Sequence, residues 1–451
     1  MAPRLFFFGP WLSGVETVIL LNALFLGLAL WTASLPREPI RERIGQAFAK
    51  GELVERDWLA FDSRRGWHQY DECVILKMLA NPAEPTLTDA LGPIVHARDA
   101  TYSDRCQTLR QLVVDGVDPS TMLSSRYTRY WHGTMPIAAG FLLATDLRTS
   151  RRVLQGAGYF ALLLLMGLAL FTTCGPARWV GVSTALCGLL FWGLPYFGQS
   201  FAHAPGDILV ILGLCGLLAW RRGLESWSRL VPLCCAYGAG VAYLEFLTGQ
   251  LPTAGGLLLA FVYALSVRPG GESRRSPWIN AGAGLLAFGL GAGVTVLLKQ
   301  VLSAAVLGTG VVDAFAGNLR LYLQPAVSEE YDLPSFLLPL GRFFRKGAAL
   351  TYGSVAGANL LFLLSTLAWV VSGVLALITA CREPRSLAAL SDYLALMTGA
   401  AIVLGWIFLF QHHSFIHAFM MVRISIVPIA LGWAALLWQL AGPRLPRGSS
   451  A

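Results

Sequence analysis

Residues 153–173 read VLQGAGYFALLLLMGLALFTT, a stretch with no charged side chain. A helix needs about 20 apolar residues to cross the hydrocarbon core of a bilayer. Comparable apolar stretches occupy 10–33, 127–147, 179–197, 205–220, 230–249, 252–267, 278–302, 354–380, 388–411 and 418–440. Of the 451 residues, 55% are hydrophobic and only 13% are charged, against about 25% charged in soluble domains. The sequence therefore predicts an all-α polytopic membrane protein and excludes a disordered or fibrous chain.

The net charge of +8 reflects membrane topology, because basic residues collect in short cytoplasmic loops. We accordingly expect membrane lipids as surroundings and no nucleic acid as a partner. Arginines cluster in the connections between the apolar stretches, and we assign these clusters to the cytoplasm together with the N-terminus. The clusters are Arg148, Arg151 and Arg152; Arg221 and Arg222; Arg268, Arg274 and Arg275; Arg382 and Arg385; and Arg444 and Arg447.

This assignment requires an even number of crossings between Arg152 and Arg221, where three apolar stretches lie. Breaks at Pro195 and Pro205 predict that one of these stretches is a half-helix or a re-entrant piece. We therefore expect about ten crossings. The first apolar stretch lacks a small-residue cleavage site, so we expect it to be retained as a helix.

Polar segments divide the chain into successive parts. We expect an N-terminus and first helix at 1–33, a large helical extracytoplasmic loop at 34–126 and a helix bundle at 127–302. A second extracytoplasmic loop at 303–353, with an interfacial segment at 337–344, precedes the last three helices at 354–440 and a cytoplasmic tail at 441–451. Cys73 and Cys106 both lie in the first loop, where an oxidising environment makes them a candidate disulfide.

With this topology, a set of polar residues meets at the outer face. It comprises Trp67, Asp71, Glu72, Arg129, Trp131, His132, Glu245, Lys299, Arg320, His413, His417 and Arg423. A charge at a helix centre costs about 2.5–3.5 kcal/mol on insertion scales, so such residues call for a reason. Each also has a plain interpretation. Trp131 fits an interfacial aromatic belt, Lys299 can snorkel to the headgroups, and Asp71 with Glu72 can be a solvated pair.

Taken together, the set suits group transfer from a phosphate. A carboxylate can accept a proton from an attacking hydroxyl. Several cations can neutralise a phosphate leaving group, and tryptophans can stack on sugar faces. Arg342, Arg345 and Lys346 lie in the second outer loop against the positive-inside rule, which also favours a role in anion binding.

The chain resembles the GT-C superfamily of membrane glycosyltransferases, and within it little-characterised bacterial members. The resemblance rests on one helix followed by a large acidic outer loop, and on short motifs. These are Tyr127–Gly133 (YTRYWHG), Tyr196–Ser200 (YFGQS), Tyr243–Thr248 (YLEFLT), Lys299, His413–His417 (HSFIH) and Arg423. The chain departs from the family pattern in carrying Glu245 for an aspartate, and His412 or His413 for an asparagine.

The resemblance implies an enzyme of the bacterial inner membrane with its site on the extracytoplasmic face. It implies transfer of a sugar from a polyprenyl-phosphate donor to a glycan or lipid-linked acceptor, with inversion. Asp71 would be the general base, with Glu72 or Glu245 as substitutes. Lys299, Arg320, His417 and Arg423 would bind the donor phosphate, and Trp67, Arg129, Trp131, His132 and His413 the substrates. Some members need a divalent cation, and no motif in this chain decides that point.

Other functions fit parts of the pattern. A transporter or lipid flippase would use intramembrane His, Glu and Lys near the midplane, although no inverted repeat is visible. An acyltransferase would use His132 or His417 as its base. An O-antigen ligase or polymerase differs from the main interpretation chiefly in the size of the donor.

Overall fold

Long apolar helices form most of the computed structural model. It describes residues 5–55, 69–81, 86–97, 105–195, 197–245, 249–267, 276–329, 333–342, 355–382 and 387–441. Six helices in these ranges are long and apolar enough to cross a membrane, which identifies a membrane protein. They are Phe8–Ser34, Leu147–Thr172, Pro277–Leu307, Asn359–Arg382, Leu387–Leu409 and Arg423–Ala441.

The N-terminal part begins with helix α1 (Leu5–Ser34), after which the chain folds into a small domain. This domain, which we call the outer domain after its predicted location, contains α2 (Arg37–Ala49), α3 (Gln69–Ala80), α4 (Leu87–Leu91), β1 (Ile94–Ala97), α5 (Arg105–Val113), β2 (Leu123–Arg126) and α6 (Thr134–Ala144). Strands β1 and β2 pair antiparallel, with Ile94 opposite Arg126. The side-chain amide of Asn81, after α3, donates to the carbonyl of Ile94 at 2.6 Å and so joins α3 to this ribbon.

The helix bundle follows, with short connections. Its helices are α7 (Leu147–Thr172), α8 (Gly175–Phe191), α9 (Ala204–Ala219), α10 (Trp227–Leu244), α11 (Gln250–Ser266) and α12 (Pro277–Leu307). Proline opens α8, α9 and α12 within the first two positions, where its missing N–H costs no helical hydrogen bond. Asp146 caps α7 by accepting from the amide of Thr149 at 2.8 Å.

The C-terminal part contains α13 (Gly310–Leu323), α14 (Leu338–Arg342), α15 (Val355–Arg382), α16 (Leu387–Leu409), α17 (Gln411–Ile416), α18 (Ala418–Met421) and α19 (Ile426–Ala441). Helix α19 packs against α8, α15 and α16, which brings the end of the chain back to the centre of the bundle. The expected outer-loop cations Arg345 and Lys346 lie outside the described residues.

The stretch 127–147 does not form the long apolar helix that we predicted. Its helix, α6, has only 11 residues, which at 1.5 Å each span about 16 Å, roughly half a bilayer core. Met135, Ala138 and Leu142 of α6 pack in the same core as Ile40 and Leu79 of the outer domain. The apolar character of α6 therefore serves the interior of this domain.

The predicted cytoplasmic position of Arg148 and Arg151 is incompatible with an extracytoplasmic outer domain. Arg148 Nε lies 3.3 Å from Oε1 of Glu52, and Arg151 forms a buried ion pair with Glu72. Both carboxylates belong to the segment that we placed outside. The start of α7 therefore lies at the same end of the bundle as the outer domain.

The predicted half-helix between Arg152 and Arg221 stays a prediction, because α7 is one of the six helices long enough to cross a membrane whereas α8 and α9 are shorter. Helices α7, α8 and α9 are each continuous over 26, 17 and 16 residues. The break between Pro195 and Pro205 is the connection between α8 and α9. It contains a short 3-10 turn at Phe197–Gln199.

Glycines bring the backbones of α10 and α12 into direct contact. A Cβ atom at Gly238 of α10 would overlap the carbonyl oxygen of Phe288, and one at Gly291 of α12 would overlap the carbonyl oxygen of Cys235. Small residues allow this close approach between helices in membranes. Neither position tolerates a side chain without separating the two helices.

Candidate functional site

Asp71 lies in the first turn of α3, on the side of the outer domain that faces the bundle. Its side chain is 5% exposed. Burial raises the pKa of this carboxyl from 3.8 to about 6, against the opposing influence of His417, Arg105 and Arg423. A carboxylate with such a pKa is ionised at neutral pH and still basic enough to accept a proton. Such a carboxyl is compatible with a general base, and that role of Asp71 stays a prediction.

Glu72, the adjacent carboxylate, has a different environment. Arg151 donates to both of its carboxylate oxygens, and the amide of Phe201 donates to Oε1 at 3.3 Å. The side chain is buried. These partners occupy Glu72 as the acceptor that joins α3 to α7 and to the α8–α9 connection. The structure therefore does not support Glu72 as a substitute base.

A chain of buried side chains leads from Asp71 into the bundle. Nε2 of His203 lies 3.3 Å from Oδ2 of Asp71, and Nη2 of Arg423 lies 3.4 Å from Nδ1 of His203. Nη1 of Arg423 donates to Oδ2 of Asp207 at 2.7 Å. Gln250 donates to Oδ1 of Asp207 at 3.3 Å and to the carbonyl of His203 at 3.0 Å. His203, Asp207, Gln250 and Arg423 thus form one cluster of polar side chains beside Asp71.

Aromatic hydroxyls line the site near the end of β2. Burial raises the pKa of Tyr127 and of Tyr130 well above the ordinary value, so both hydroxyls stay protonated. Arg129 donates to the hydroxyl of Tyr322 of α13 at 2.8 Å, and its guanidinium lies 5.4 Å from the ring centre of Tyr127. The predicted substrate residue Arg129 therefore belongs to this aromatic side of the site.

Two of the predicted histidines lie on another side. The rings of His413 and His417 are 4.6 Å apart, and the ring of Tyr322 is 4.7 Å from that of His413. Burial lowers the pKa of His417 to about 3, with further lowering from His413 and Arg342, so His417 is neutral at physiological pH. The guanidinium of Arg342 stacks 4.6 Å above the ring centre of Phe415.

A disulfide joins Cys73 to Cys106, as we predicted. Cys73 is two residues from Asp71, and Cys106 follows Arg105, whose charge acts on Asp71. The bond therefore fixes α5 against α3 close to the candidate base.

Glu245 has the position of a helix cap. Its carboxylate accepts from the amides of Gly249 at 3.1 Å and Leu251 at 2.9 Å, at the start of α11. Anionic groups at a helix N-terminus stabilise the exposed amides. These contacts give Glu245 a structural role and do not support it as a base.

Lys299 joins the bundle to the outer domain. Its ammonium donates to the carbonyl of Leu91 and to the hydroxyl of Ser303, and it lies 5.7 Å from the ring centre of Trp131. Trp131 in turn donates to the carbonyl of Thr295 of α12 at 3.0 Å. Lys299 is also absent from the charges that act on Asp71. The expected pairing of Lys299 with Arg423 at a phosphate is therefore not supported by these contacts.

The remaining predicted residues are dispersed. His132 lies 2.7 Å from the carbonyl of Tyr127 through Nε2, which closes the loop before α6. Arg320 is exposed on α13, and Trp67 lies outside the described residues. Among the residues that the structure describes, no group of three His, Cys, Asp or Glu side chains is arranged to hold a metal ion.

Sequence reasoning gave neither His203 nor Asp207 a functional role. The available signal was a histidine within the Pro195–Pro205 break, followed by an aspartate in the first turn of an apolar helix. Both residues gain their significance from Arg423, more than 200 positions away.

Comparison of the chain with family models, curated proteins and solved structures gave no match.

Proposed function

We propose that the protein is a membrane glycosyltransferase that uses a polyprenyl-phosphate-linked sugar on the extracytoplasmic face, as the resemblance to the GT-C superfamily implies. The observation that carries the proposal is the buried carboxylate of Asp71, whose pKa is raised to about 6 by burial. A base is most effective when its pKa lies near the working pH. Its partners, Arg423 and His203, are themselves buried, so the carboxylate has a fixed environment.

The proposed topology has ten crossings, by α1, α7–α12, α15, α16 and α19. Because α6 belongs to the outer domain, the start of α7 is extracytoplasmic. Helices α7, α8 and α9 then all cross, and Arg221 follows on the cytoplasmic side. This arrangement satisfies the parity requirement without a half-helix, and it puts Asp71, His417 and Arg423 at one face.

The proposed reaction is a single displacement. The acceptor hydroxyl forms a bond from its oxygen to the anomeric carbon, and the bond between that carbon and the phosphate oxygen breaks. The hydroxyl proton passes to Asp71, and the lipid phosphate leaves with the bonding electron pair. Attack opposite the leaving group inverts the anomeric configuration.

Cations near Asp71 suit the charge that develops on the phosphate. The charge of Arg105 opposes the raised pKa of Asp71, the charge of Arg342 helps to lower the pKa of His417, and Arg129 lies over Tyr127. Arg423 is already paired with Asp207, so we assign the phosphate chiefly to Arg105, Arg129 and Arg342. The aromatic rings of Tyr127, Tyr130 and Tyr322 can contact the sugar.

The test is sugar transfer by purified protein from a radiolabelled polyprenyl-phosphate sugar in proteoliposomes, compared for Asp71→Asn and the exposed control Asp115→Asn. A general base contributes about 10²–10⁴-fold, so Asp71→Asn should lose that factor while donor binding stays within about twofold. A flippase would instead move the donor across the bilayer with its sugar–phosphate bond intact. Translocation without bond cleavage, or full transfer by Asp71→Asn, would refute the proposal.

A further inference from the structure

His203 lies between the candidate base and a buried ion pair. Its Nε2 is 3.3 Å from Oδ2 of Asp71, and its Nδ1 is 3.4 Å from Nη2 of Arg423. The side chain is fully buried at 0% exposure. A single imidazole ring thus contacts Asp71 with one nitrogen and Arg423 with the other.

The contact with Arg423 determines which nitrogen of His203 carries the proton. A guanidinium has only donors, so Nδ1 must present its lone pair to it. In a neutral imidazole the proton is then on Nε2, the nitrogen that faces Asp71. Burial and the charge of Arg423 hold the pKa of His203 well below its ordinary value, so the ring is neutral.

Two further side chains hold Arg423 and His203 in this relationship. Asp207 accepts from Nη1 of Arg423 at 2.7 Å and so compensates its buried charge. Gln250 donates both to Asp207 and to the backbone carbonyl of His203. The orientation of the imidazole is therefore fixed from both its backbone and its Nδ1 side.

We propose that His203 is a positioning residue that donates a hydrogen bond from Nε2 to Asp71, and that the Asp207–Arg423 pair selects the tautomer that can donate it. The inference rests on the proposed function in that Asp71 is the base. A hydrogen bond donated to a carboxylate orients it and favours its ionised form. His203 does not itself contact the reacting atoms.

Asp71 faces other groups that influence its titration. They are Arg105 of α5, Tyr127 after β2, His417 between α17 and α18, and Arg423. His417 is neutral, since burial lowers its pKa to about 3. Loss of the hydrogen-bond donor of His203 should therefore shift the acidic limb of the pH–rate profile, which Asp71 produces, to higher pH.

Two matched substitutions separate the two contacts of the ring. In His203→Gln the side-chain amide nitrogen can replace Nε2 and donate to Asp71. In His203→Asn the shorter amide can replace Nδ1 and accept from Arg423, but it does not reach Asp71. His96→Asn, at another buried histidine on β1, serves as the control for a general effect of losing an imidazole.

The first measurement is the pH dependence of sugar transfer. A charged hydrogen bond of about one pKa unit predicts that His203→Asn moves the midpoint upward by about one pH unit. The loss of transfer rate in His203→Asn should be about fivefold at pH 6. It should shrink at pH 8.5, where Asp71 is ionised in the wild type and in the variant. His203→Gln should keep the wild-type midpoint. A pH-independent loss in His203→Asn, or an equal shift in both variants, would overturn the proposal.

A second measurement does not need enzymatic activity. Infrared titration of the protonated carboxyl band in the purified protein, assigned by its disappearance in Asp71→Asn, gives the midpoint of Asp71 directly. We expect the same upward shift of about one unit in His203→Asn and none in His203→Gln or His96→Asn. If the wild-type protein transfers no sugar, the proposed function fails, yet this titration still decides the role of His203. An unshifted band in His203→Asn would overturn it.

Discussion

Arg151, in the first turn of α7, donates to both carboxylate oxygens of Glu72 in the first turn of α3. The two residues are 79 positions apart in the sequence. Their contact distinguishes Glu72 from the adjacent Asp71 and also fixes the start of α7 beside the outer domain. One ion pair therefore bears on the chemistry of the site and on the topology of the membrane helices.

Accessibility labelling should detect the position of the α6–α7 connection. The exposed residues Glu42 and Thr149 should react from the same side of the membrane when each is replaced by cysteine, and Glu225 from the opposite side. The background should carry serine at the exposed Cys174 and Cys381. Labelling of position 149 from the side of position 225 would contradict the proposed topology.

Removing one partner of the buried ion pair should destabilise the protein strongly. Glu72→Gln leaves Arg151 uncompensated, which typically costs about 3–5 kcal/mol. The double variant Glu72→Gln/Arg151→Met should lose less stability than the sum of the losses in the two single variants. Thermal unfolding in detergent measures this, with Lys50→Ala at the exposed Lys50–Asp146 pair as a control that changes by less than about 1 kcal/mol. A stable but inactive Glu72→Gln would instead return Glu72 to the chemistry.

Lys299 and Arg342 should behave differently when each is replaced. Lys299→Met should lower stability by about 1–3 kcal/mol, because the buried carbonyl of Leu91 loses its donor, while donor affinity in folded protein is kept. Arg342→Gln should weaken binding of the polyprenyl-phosphate sugar about tenfold, the effect of one charged hydrogen bond. Isothermal titration calorimetry with the donor and thermal unfolding, both measured on each variant, distinguish a loss of affinity from a loss of stability. Weak binding by a fully stable Lys299→Met would support the original assignment of Lys299 to the phosphate.

Transfer should depend on pH through Asp71. Because its pKa is raised to about 6 by burial, the rate should fall about tenfold per pH unit below 6 and level off above 7. The same shift bears on stability. A carboxyl whose pKa is higher in the folded than in the unfolded state stabilises the fold below the unfolded value, and this contribution is lost as pH rises through 6.

The predicted effect of Asp71 on the pH dependence of stability can be tested separately. Asp71→Asn mimics the protonated carboxyl, so its unfolding temperature relative to wild type should be higher at pH 7.5 than at pH 4.5. Equal differences at the two pH values would show that Asp71 titrates normally in the folded protein.

Hydropathy was sufficient to predict a mostly helical membrane protein, but it did not predict the β1–β2 ribbon and could not distinguish lipid from protein surroundings for α6. Its 11 residues are typical of a buried helix rather than a crossing, and the flanking Gly133 and Asp146 delimited it. The assignments of Arg151 to the cytoplasm and of Glu72 to the outside cannot both be correct, because a charge count ignores pairing. Its partner Glu72 is distant in sequence and became visible only in three dimensions.

The candidate site shows the same division. Asp71, His417 and Arg423 were predicted to converge, because one topology placed all three at the same face. The roles of Lys299 and Glu245 depended on local partners, namely the carbonyl of Leu91 and the amides of Gly249 and Leu251, which no residue pattern reveals. A buried cation and a cation that binds a ligand look alike in a sequence.

The glycine contacts between α10 and α12 have a mechanical consequence. Sliding either helix by one turn, about 5.4 Å along its axis, would put a residue with a side chain, such as Ala242 of α10 or Thr295 of α12, in the place of Gly238 or Gly291. The two helices are therefore held in one register and behave as a single rigid unit. Any displacement of one of these helices must therefore carry the other with it.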